Sequence, residues 1–322
     1  MAALEYAPNG VTVRATKSPA FYENNQIHTL DGTEYTVVLS QDELCSRIHG
    51  EEDVSHLATT FITDMEGMFY GATSFNGDVS RWDVSNVTNI VGMFKNATSF
   101  SGDLSRWDVS NVTDMESMFL NATSFNGDVS GWDVSKVRNM SLMFSDANSF
   151  NGDVSRWDVS SVTDMTAMFR NATSFNGDVS RWDVSNVTTM YAMFYGASSF
   201  NGEVSQWVVS NVTSMWAMFE NAISFNGDVS GWNVSNVRYM ESMFRDATSF
   251  IGDVSGWNIH PNCDTTSYLD NTLIDYYIKR KEATLEATNI IKEELLAAAW
   301  EPSRMEEWCL DLDERYEVDE LF

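Results

Sequence analysis

Two columns of acidic residues are the groups in this chain best placed to do chemistry. Asp83, Asp108, Asp133, Asp158 and Asp183 recur every 25 residues, each between a Trp and a Val. Arg81, Arg106, Arg156 and Arg181 stand two positions before four of them. Side chains alternate between faces along an extended strand. Trp and Val therefore point inward, and Asp and Arg outward. Copies stacked about 4.8 Å apart set like charges against one another. Three things can relieve that repulsion: local ion pairs on a solvated face, a basic protein partner, or calcium-type cations held by oxygen ligands. These nine Asp and Arg residues form the candidate binding face. A second column, Asp78 to Asp253 with Glu203, follows a Gly turn, and turn hydrogen bonding accounts for it.

Other chemistry is sparse. His28, His49, His56 and His260 lie near the two ends of the repeats, with none paired at metal-ligand spacing. Cys45, Cys263 and Cys309 are too few for a disulfide framework and fit a reducing compartment. There is no zinc-type Cys pair and no phosphate-binding glycine loop. The expectation is no catalytic residue and no cofactor, with calcium on the acidic column as the alternative. Asn-x-Ser/Thr sequons occur at Asn86, Asn96, Asn111, Asn121, Asn139, Asn171, Asn186, Asn211 and Asn233. They read as by-products of a Ser-, Thr- and Asn-rich repeat rather than as glycan sites.

The formal charge of −28 is spread along all 322 residues. An acidic surface repels nucleic acid and anionic membranes and favours basic or metal-ion partners. No apolar stretch is long enough to span a bilayer, and the first residues lack a basic start and an apolar run.

The elements that must position these residues follow from the period. Phe75, Phe100 and so on to Phe250 recur in unbroken register; Gly follows two residues later and Trp seven residues later. Sixteen of the 19 Phe fall in two repeat columns, which places them in structure rather than in a site. Within 75–99, Trp82 and Val84 alternate around Asp83 as in a short strand. Ile90, Met93, Phe94 and Ala97 then fall at helical spacing. Thr63 with Glu66, and Thr113 with Glu116, fit capping boxes that open this helix. A column of Gly, Asn or Asp from Gly71 to Asp246 suits the left-handed residue that closes it. The expected fold is an α/β repeat solenoid: leucine-rich-repeat-like coils with one parallel β ladder near 82–84 and its equivalents, short helices near 89–95 and theirs, and a small helical C-terminal tail. Such coils cannot bury their apolar faces singly and must stack.

The organisation reads as a weakly specified lead-in over 1–27, an N-terminal cap over 28–52, the solenoid over 53–260, and a helical acidic tail over 261–322. The cap combines a strand at 35–39 with a helix opened by Ser40 and Glu43. In the tail, 284–300 is rich in helix formers, and Pro302 suits the start of a further helix to about 310.

The unit Phe-Asn-Gly-Asp-Val-Ser-x-Trp-Asp-Val-Ser-Asn-Val-Thr-Asp-Met-x-x-Met-Phe-x-Asn-Ala-Thr-Ser resembles the leucine-rich-like repeat of BspA-type bacterial surface proteins. The same repeat is known in listerial and mycoplasmal lipoproteins and in proteins of algae and their large viruses. The segment Asp31 to Val38 is similar to that family's opening segment, and the resemblance covers roughly 28–260. It implies a leucine-rich-repeat-like fold, adhesion or host interaction, and no catalytic residue. The family's lipoprotein signal and wall anchor are not seen in this sequence. Trp300 to Arg304 with Trp308 and Cys309 is similar to tails of large algal-virus proteins.

These readings predict a monomeric protein-recognition or adhesion module that uses a rigid acidic face. An intracellular scaffold contacting partners through the tail, and a cation-binding repeat protein, are the alternatives. The family analogy points to a cell surface; the N-terminal sequence favours a cytoplasmic or virion-associated location.

Overall fold

The computed structural model describes residues 2–23 and 26–272. The expected helices of the tail, and Cys309, lie outside the described residues.

The chain starts with two small sheets. β1 (Leu4–Tyr6) pairs antiparallel with β2 (Val13–Ala15). β3 (Ile27–Leu30) pairs antiparallel with β4 (Thr33–Val37) around Asp31 and Gly32, both at positive φ. That conformation favours the Asp-Gly pair found here. Helix α1 (Gln41–His49) opens as the sequence predicts. Ser40 Oγ accepts from the Glu43 N–H at 3.2 Å, and Glu43 Oε2 accepts from the Leu39 N–H at 3.1 Å. β4 then pairs in parallel with β5 (Leu57–Ala58), which belongs to the first coil. The cap is thus joined to the stack by backbone hydrogen bonds.

The segment 1–27 is more than a weakly specified lead-in. Leu4, Val13 and Tyr22 are buried with Tyr35, Val37 and Ala58 in a second small core. The Val13 N–H donates to the Arg81 carbonyl at 3.0 Å, and the Ala15 N–H to Thr60 Oγ1 at 2.9 Å. The sequence does mark this hairpin, with Asn9-Gly10 between the alternating apolar residues Leu4, Tyr6, Val13 and Ala15; so short a pair is ordered by the coils it lies against.

From residue 53 to residue 272 the chain is a repeat solenoid. Both Phe columns and the Trp column are buried, apart from the half-buried Phe75 at the start. Phe94 and Phe100 stack within one coil at 4.0 Å, and Phe94 meets Phe119 of the next coil at 5.6 Å. Each indole N–H of the Trp column, Trp82 to Trp257, donates to a carbonyl 28 residues back. Trp107 reaches Val79 at 3.0 Å and Trp157 reaches Val129 at 3.0 Å. Every buried indole is therefore satisfied, as its burial requires.

The internal assignment of each coil differs from the sequence reading in two ways. The parallel pairing lies at Asp64, Asn89, Asp114 and their equivalents through Asp264, not at 82–84. The segment expected to be helical is a run of reverse turns. The N–H groups of Met143, Ser145 and Ala147 donate three residues back, to Met140, Leu142 and Phe144. Those of Leu142, Phe144 and Asp146 cross to Thr166, Met168 and Arg170 of the next coil. An α-helix keeps its interior N–H groups for itself, and its width of about 10 Å does not match rungs about 4.8 Å apart. Turns present the same apolar residues inward and still supply bonds between coils. The Gly/Asn/Asp column does adopt positive φ, from Gly71 at 71° to Asp246 at 60°, but it ends turns rather than helices. A second positive-φ column runs through Gly92, Ser117, Leu142 and Ala167.

The register also passes the boundary expected at 260. Asp264 bridges Tyr239, Asn271 has φ 59°, and the Phe244 N–H donates to the Tyr268 carbonyl. Tyr268 and Leu269 replace the usual Met-Phe pair, which hides the repeat while preserving its shape.

Gly152 shows how tightly a coil closes. A Cβ there would sit 2.9 Å from the Phe150 ring and 3.3 Å from the Gly127 carbonyl. Gly152→Ala should cost about 1–3 kcal/mol by overpacking, and Phe150→Ala about 3–5 kcal/mol by leaving a cavity. Denaturant unfolding of the two variants checks both; a neutral Gly152→Ala would contradict this packing.

Candidate recognition face

Both acidic columns are built into the backbone by the same local bond. Asp158 Oδ1 accepts from the Ser160 N–H at 3.1 Å, and Asp153 Oδ1 from the Ser155 N–H at 2.9 Å. Such bonds from a side chain to an N–H two residues on make Asx turns. The hydroxyl and then the N–H of the following serine hold Asp128, Asp133, Asp153, Asp178, Asp183 and Asp228 below the usual carboxylate range. The same device replaces the capping boxes expected at Thr63 and Thr113. Glu66 and Glu116 donate their N–H groups to Asp64 and Asp114 Oδ1, each at 2.9 Å.

Asp108, Asp133, Asp158 and Asp183 are exposed as the alternation predicts, and so are Arg106, Arg156 and Arg181. Asp83 is the exception, with its side chain 1% exposed. The N-terminal hairpin covers it and supplies Arg14, whose Nε lies 3.4 Å from Asp83 Oδ2 and whose Nη2 lies 4.0 Å from Asp108 Oδ2. Arg81 is drawn to the hairpin side as well, where its Nη1 donates to the Tyr35 hydroxyl at 3.0 Å. Among the described residues, no ion pair within 4.0 Å joins Arg106, Arg156 or Arg181 to a carboxylate. A groove of about 410 Å³ opens between the hairpin and the coils beside Arg14, Arg106, Asp108 and Asp133.

Other polar groups are tied to structure. Among the described residues, no three or more His, Cys, Asp or Glu gather into a set that could hold a metal ion. Ser55, His56 and Asp53 lie together, but Ser55 Oγ at 3.1 Å and Asp53 Oδ2 at 4.0 Å both face His56 Nδ1. A nucleophile–base–acid relay needs the two ring nitrogens separately. The sequon asparagines mostly use the amide nitrogen that a glycan would occupy. Asn86, Asn111, Asn186 and Asn211 donate it to carbonyls of the preceding coil at 2.7–2.9 Å.

Sequence reasoning missed an aromatic patch on the turn-ladder face. Tyr191 stacks on Trp216 at 4.7 Å, and Trp216 Nε1 donates to Glu241 Oε2 at 3.0 Å. Aromatics one coil apart, Tyr191 and Trp216, in an otherwise variable column were the available signal. Glu220 is a second surprise, buried beside Arg245. Burial pushes its carboxyl up against the pull of that guanidinium.

The repeats match the family described as Mycoplasma protein of unknown function, DUF285, over residues 42–148, 102–196, 128–222 and 177–274. The chain belongs to this family. The DUF285 matches run beyond 260 to 274, in agreement with the extended ladder. No curated protein and no solved structure matches the chain. Among the described residues, no DUF285 coil or cap element is a helix long and apolar enough to cross a membrane.

Two outcomes follow for the acidic columns. A carboxylate depressed in the fold contributes stability above its unfolded value, near pH 4, and loses it as pH falls through the folded value. The melting temperature should hold between about pH 7 and 5 and drop below about pH 4. Glu220, raised by burial, acts with the opposite sign, as one group against nine depressed aspartates among the described residues. Arg14→Met leaves the Asp83 carboxylate buried and unpaired. It should cost roughly 3 kcal/mol, the low end for a broken buried pair, because Arg14 itself is 29% exposed. Thermal melts across pH and denaturant unfolding of the variant measure both.

Proposed function

We propose that this repeat protein is a non-enzymatic protein-recognition module whose working surface is the acidic column Asp108, Asp133, Asp158 and Asp183. The observation that carries this reading is a surplus of charge. Asn233 occupies the same column and makes the same turn, with its Oδ1 accepting from the Ser235 N–H at 3.2 Å and from Ser235 Oγ at 2.8 Å. The turn therefore forms on a neutral oxygen acceptor, and with Val208 in the same column the coil forms with none, so the fold does not need a negative charge there. Four exposed carboxylates on rigid, hydrogen-bonded coils suit a basic partner surface, by electrostatic complementarity. The overall charge of −28 argues against nucleic acid as that partner. The resemblance to BspA-type repeats supports adhesion or host contact as the setting.

Because Asn keeps the turn, the triple variant Asp133→Asn, Asp158→Asn, Asp183→Asn should still fold cooperatively, losing only the stability that the charged Asp133 and Asp183 draw from their serine hydrogen bonds. The same variant, used as bait beside the wild type and a form lacking 273–322, should lose saturable, salt-sensitive capture of a basic protein. Capture retained by the triple variant but lost without 273–322 would move recognition to the tail. If calcium raises the wild-type melting temperature and the triple variant does not respond, the column is a cation ladder instead.

A further inference from the structure

Six Asn-Gly pairs recur at one position of the repeat, beginning at Asn76, Asn126, Asn151, Asn176, Asn201 and Asn226. Such a pair carries a reaction of its own. The glycine nitrogen attacks the asparagine Cγ, and the new C–N bond closes a succinimide ring. The side-chain nitrogen leaves as ammonia and takes the glycine N–H proton with it. Water then opens the ring at either carbonyl, to aspartate or to isoaspartate. Glycine favours the attack because it has no Cβ and leaves the backbone free to rotate. All six asparagines are exposed. Among the described residues, none of the six glycine N–H groups makes a hydrogen bond, so the nucleophile is free in every coil.

The electrophile is not free. Each asparagine Oδ1 accepts the N–H of the equivalent residue one coil on, at 2.8–2.9 Å. Asn151 accepts from Asn176 in this way, and Asn226 from Ile251. A carboxamide held by its oxygen against the next coil must release that bond before its carbon can turn back to its own glycine nitrogen. The lock on each pair is therefore the coil that follows it.

The lock on Asn226 is the weakest. The Phe-x-Gly signature stops at Phe250 and Gly252, so this lock is the last coil of the series. Its Val254 and Trp257 are 9% and 8% exposed, where Val229 and Trp232 of the coil before are 0% and 3%. The N–H groups of Met240, Ser242 and Phe244 cross to this last coil, but those of Thr265, Ser267 and Leu269 within it find no acceptor among the described residues. At the other end, the first coil is paired to the cap through β4 and β5. In a stack held by neighbour contacts, an end coil opens more often than a central one.

We infer that Asn226 is a site of self-modification, where opening of the last coil lets the Gly227 nitrogen close on the Asn226 carboxamide, while the five pairs behind it are protected by the stack. The aspartate product adds a carboxylate two positions before Asp228. The isoaspartate product adds a carbon to the main chain beside Gly227. A Cβ on Gly227 would already lie 2.9 Å from the Phe225 ring and 3.2 Å from the Gly202 carbonyl, so that coil cannot close again as before. This chemistry is independent of the recognition reading.

The test incubates the full chain in mildly alkaline buffer, native and in denaturing urea, and follows each pair by peptide mapping that separates aspartate from isoaspartate. In urea the six pairs should react at similar rates. In the native chain all should slow, with Asn226 leading Asn126, Asn151 and Asn176 by about tenfold, a ratio set by local opening. Trp257→Phe keeps an aromatic ring but removes the indole bond to the Val229 carbonyl, 3.0 Å long in the wild type. It should speed Asn226 by about two- to tenfold, the effect of one lost hydrogen bond on the opening equilibrium, and leave Asn151 unchanged. Asn226 reacting no faster than Asn151, native rates equal to those in urea, or a Trp257→Phe variant that leaves Asn226 unchanged or speeds all six alike would overturn the inference.

Discussion

The structure depends on one constraint: backbone donors that a coil cannot satisfy internally must find acceptors exactly one coil away. In each turn-ladder segment, alternate N–H groups donate within the coil and to the carbonyl 24 residues on, as with Ser145 to Leu142 and Phe144 to Met168. A buried unpaired donor costs about 1–3 kcal/mol, and an inserted or deleted residue would misplace several of them together. This explains why the 25-residue period has no exceptions from Phe75 to Phe250. It explains the aromatic columns too. Once the backbone sets the rungs, each ring meets its own copy at a repeated distance, near 5.6 Å for Phe169 with Phe194 and 6.4 Å for Trp182 with Trp207.

How much of this was legible depended on whether the signal was periodic. The burial of the Phe and Trp columns, the left-handed Asn and Gly column and the Ser40 cap of α1 could all be read directly. The turn run was misread because Ile90, Met93, Phe94 and Ala97 satisfy helical spacing and inward-facing turns equally. The second left-handed column, occupied by Gly92, Ser117, Leu142 and Ala167, was the available clue: Leu142 apart, it holds small residues in register where a helix would accept any good helix former. The hairpin at β1 and β2 carries a clue outside the period, Asn9-Gly10 between alternating apolar residues. Its order is tertiary, supplied by bonds to Arg81 and Thr60. The burial of Asp83 followed from it and could not be read from a column in which all five aspartates look alike.

The acidic columns show structure and charge separating. An Asx turn needs an oxygen, and Asn233 provides one without charge. The adjacent column makes the same point from the other side: Glu203 substitutes for aspartate and still accepts from the Ser205 N–H at 2.8 Å. Oxygen at these positions is explained by the backbone, and the negative charge is not. That remainder is what a functional reading of the column can claim, and it is largest where solvent reaches the second carboxylate oxygen.

The distribution of arginine sharpens this point. Where the outer column loses its acids, at Val208, Asn233 and Asn258, the position two residues earlier loses its arginine, becoming Gln206, Gly231 and Gly256. The two charges come and go together although Arg156 and Arg181 make no close ion pair. Compensation over distances below a Debye length of about 8 Å accounts for that pairing without contact. The coil of Asp133 keeps its acid and drops that arginine, but among the five aspartate coils it is the one that carries Lys136 and Arg138, and Lys136 helps to hold Asp133 below the usual carboxylate range. The compensating charge is moved along the coil rather than lost, just as the first rung, Asp83, takes its cation from Arg14 of the hairpin.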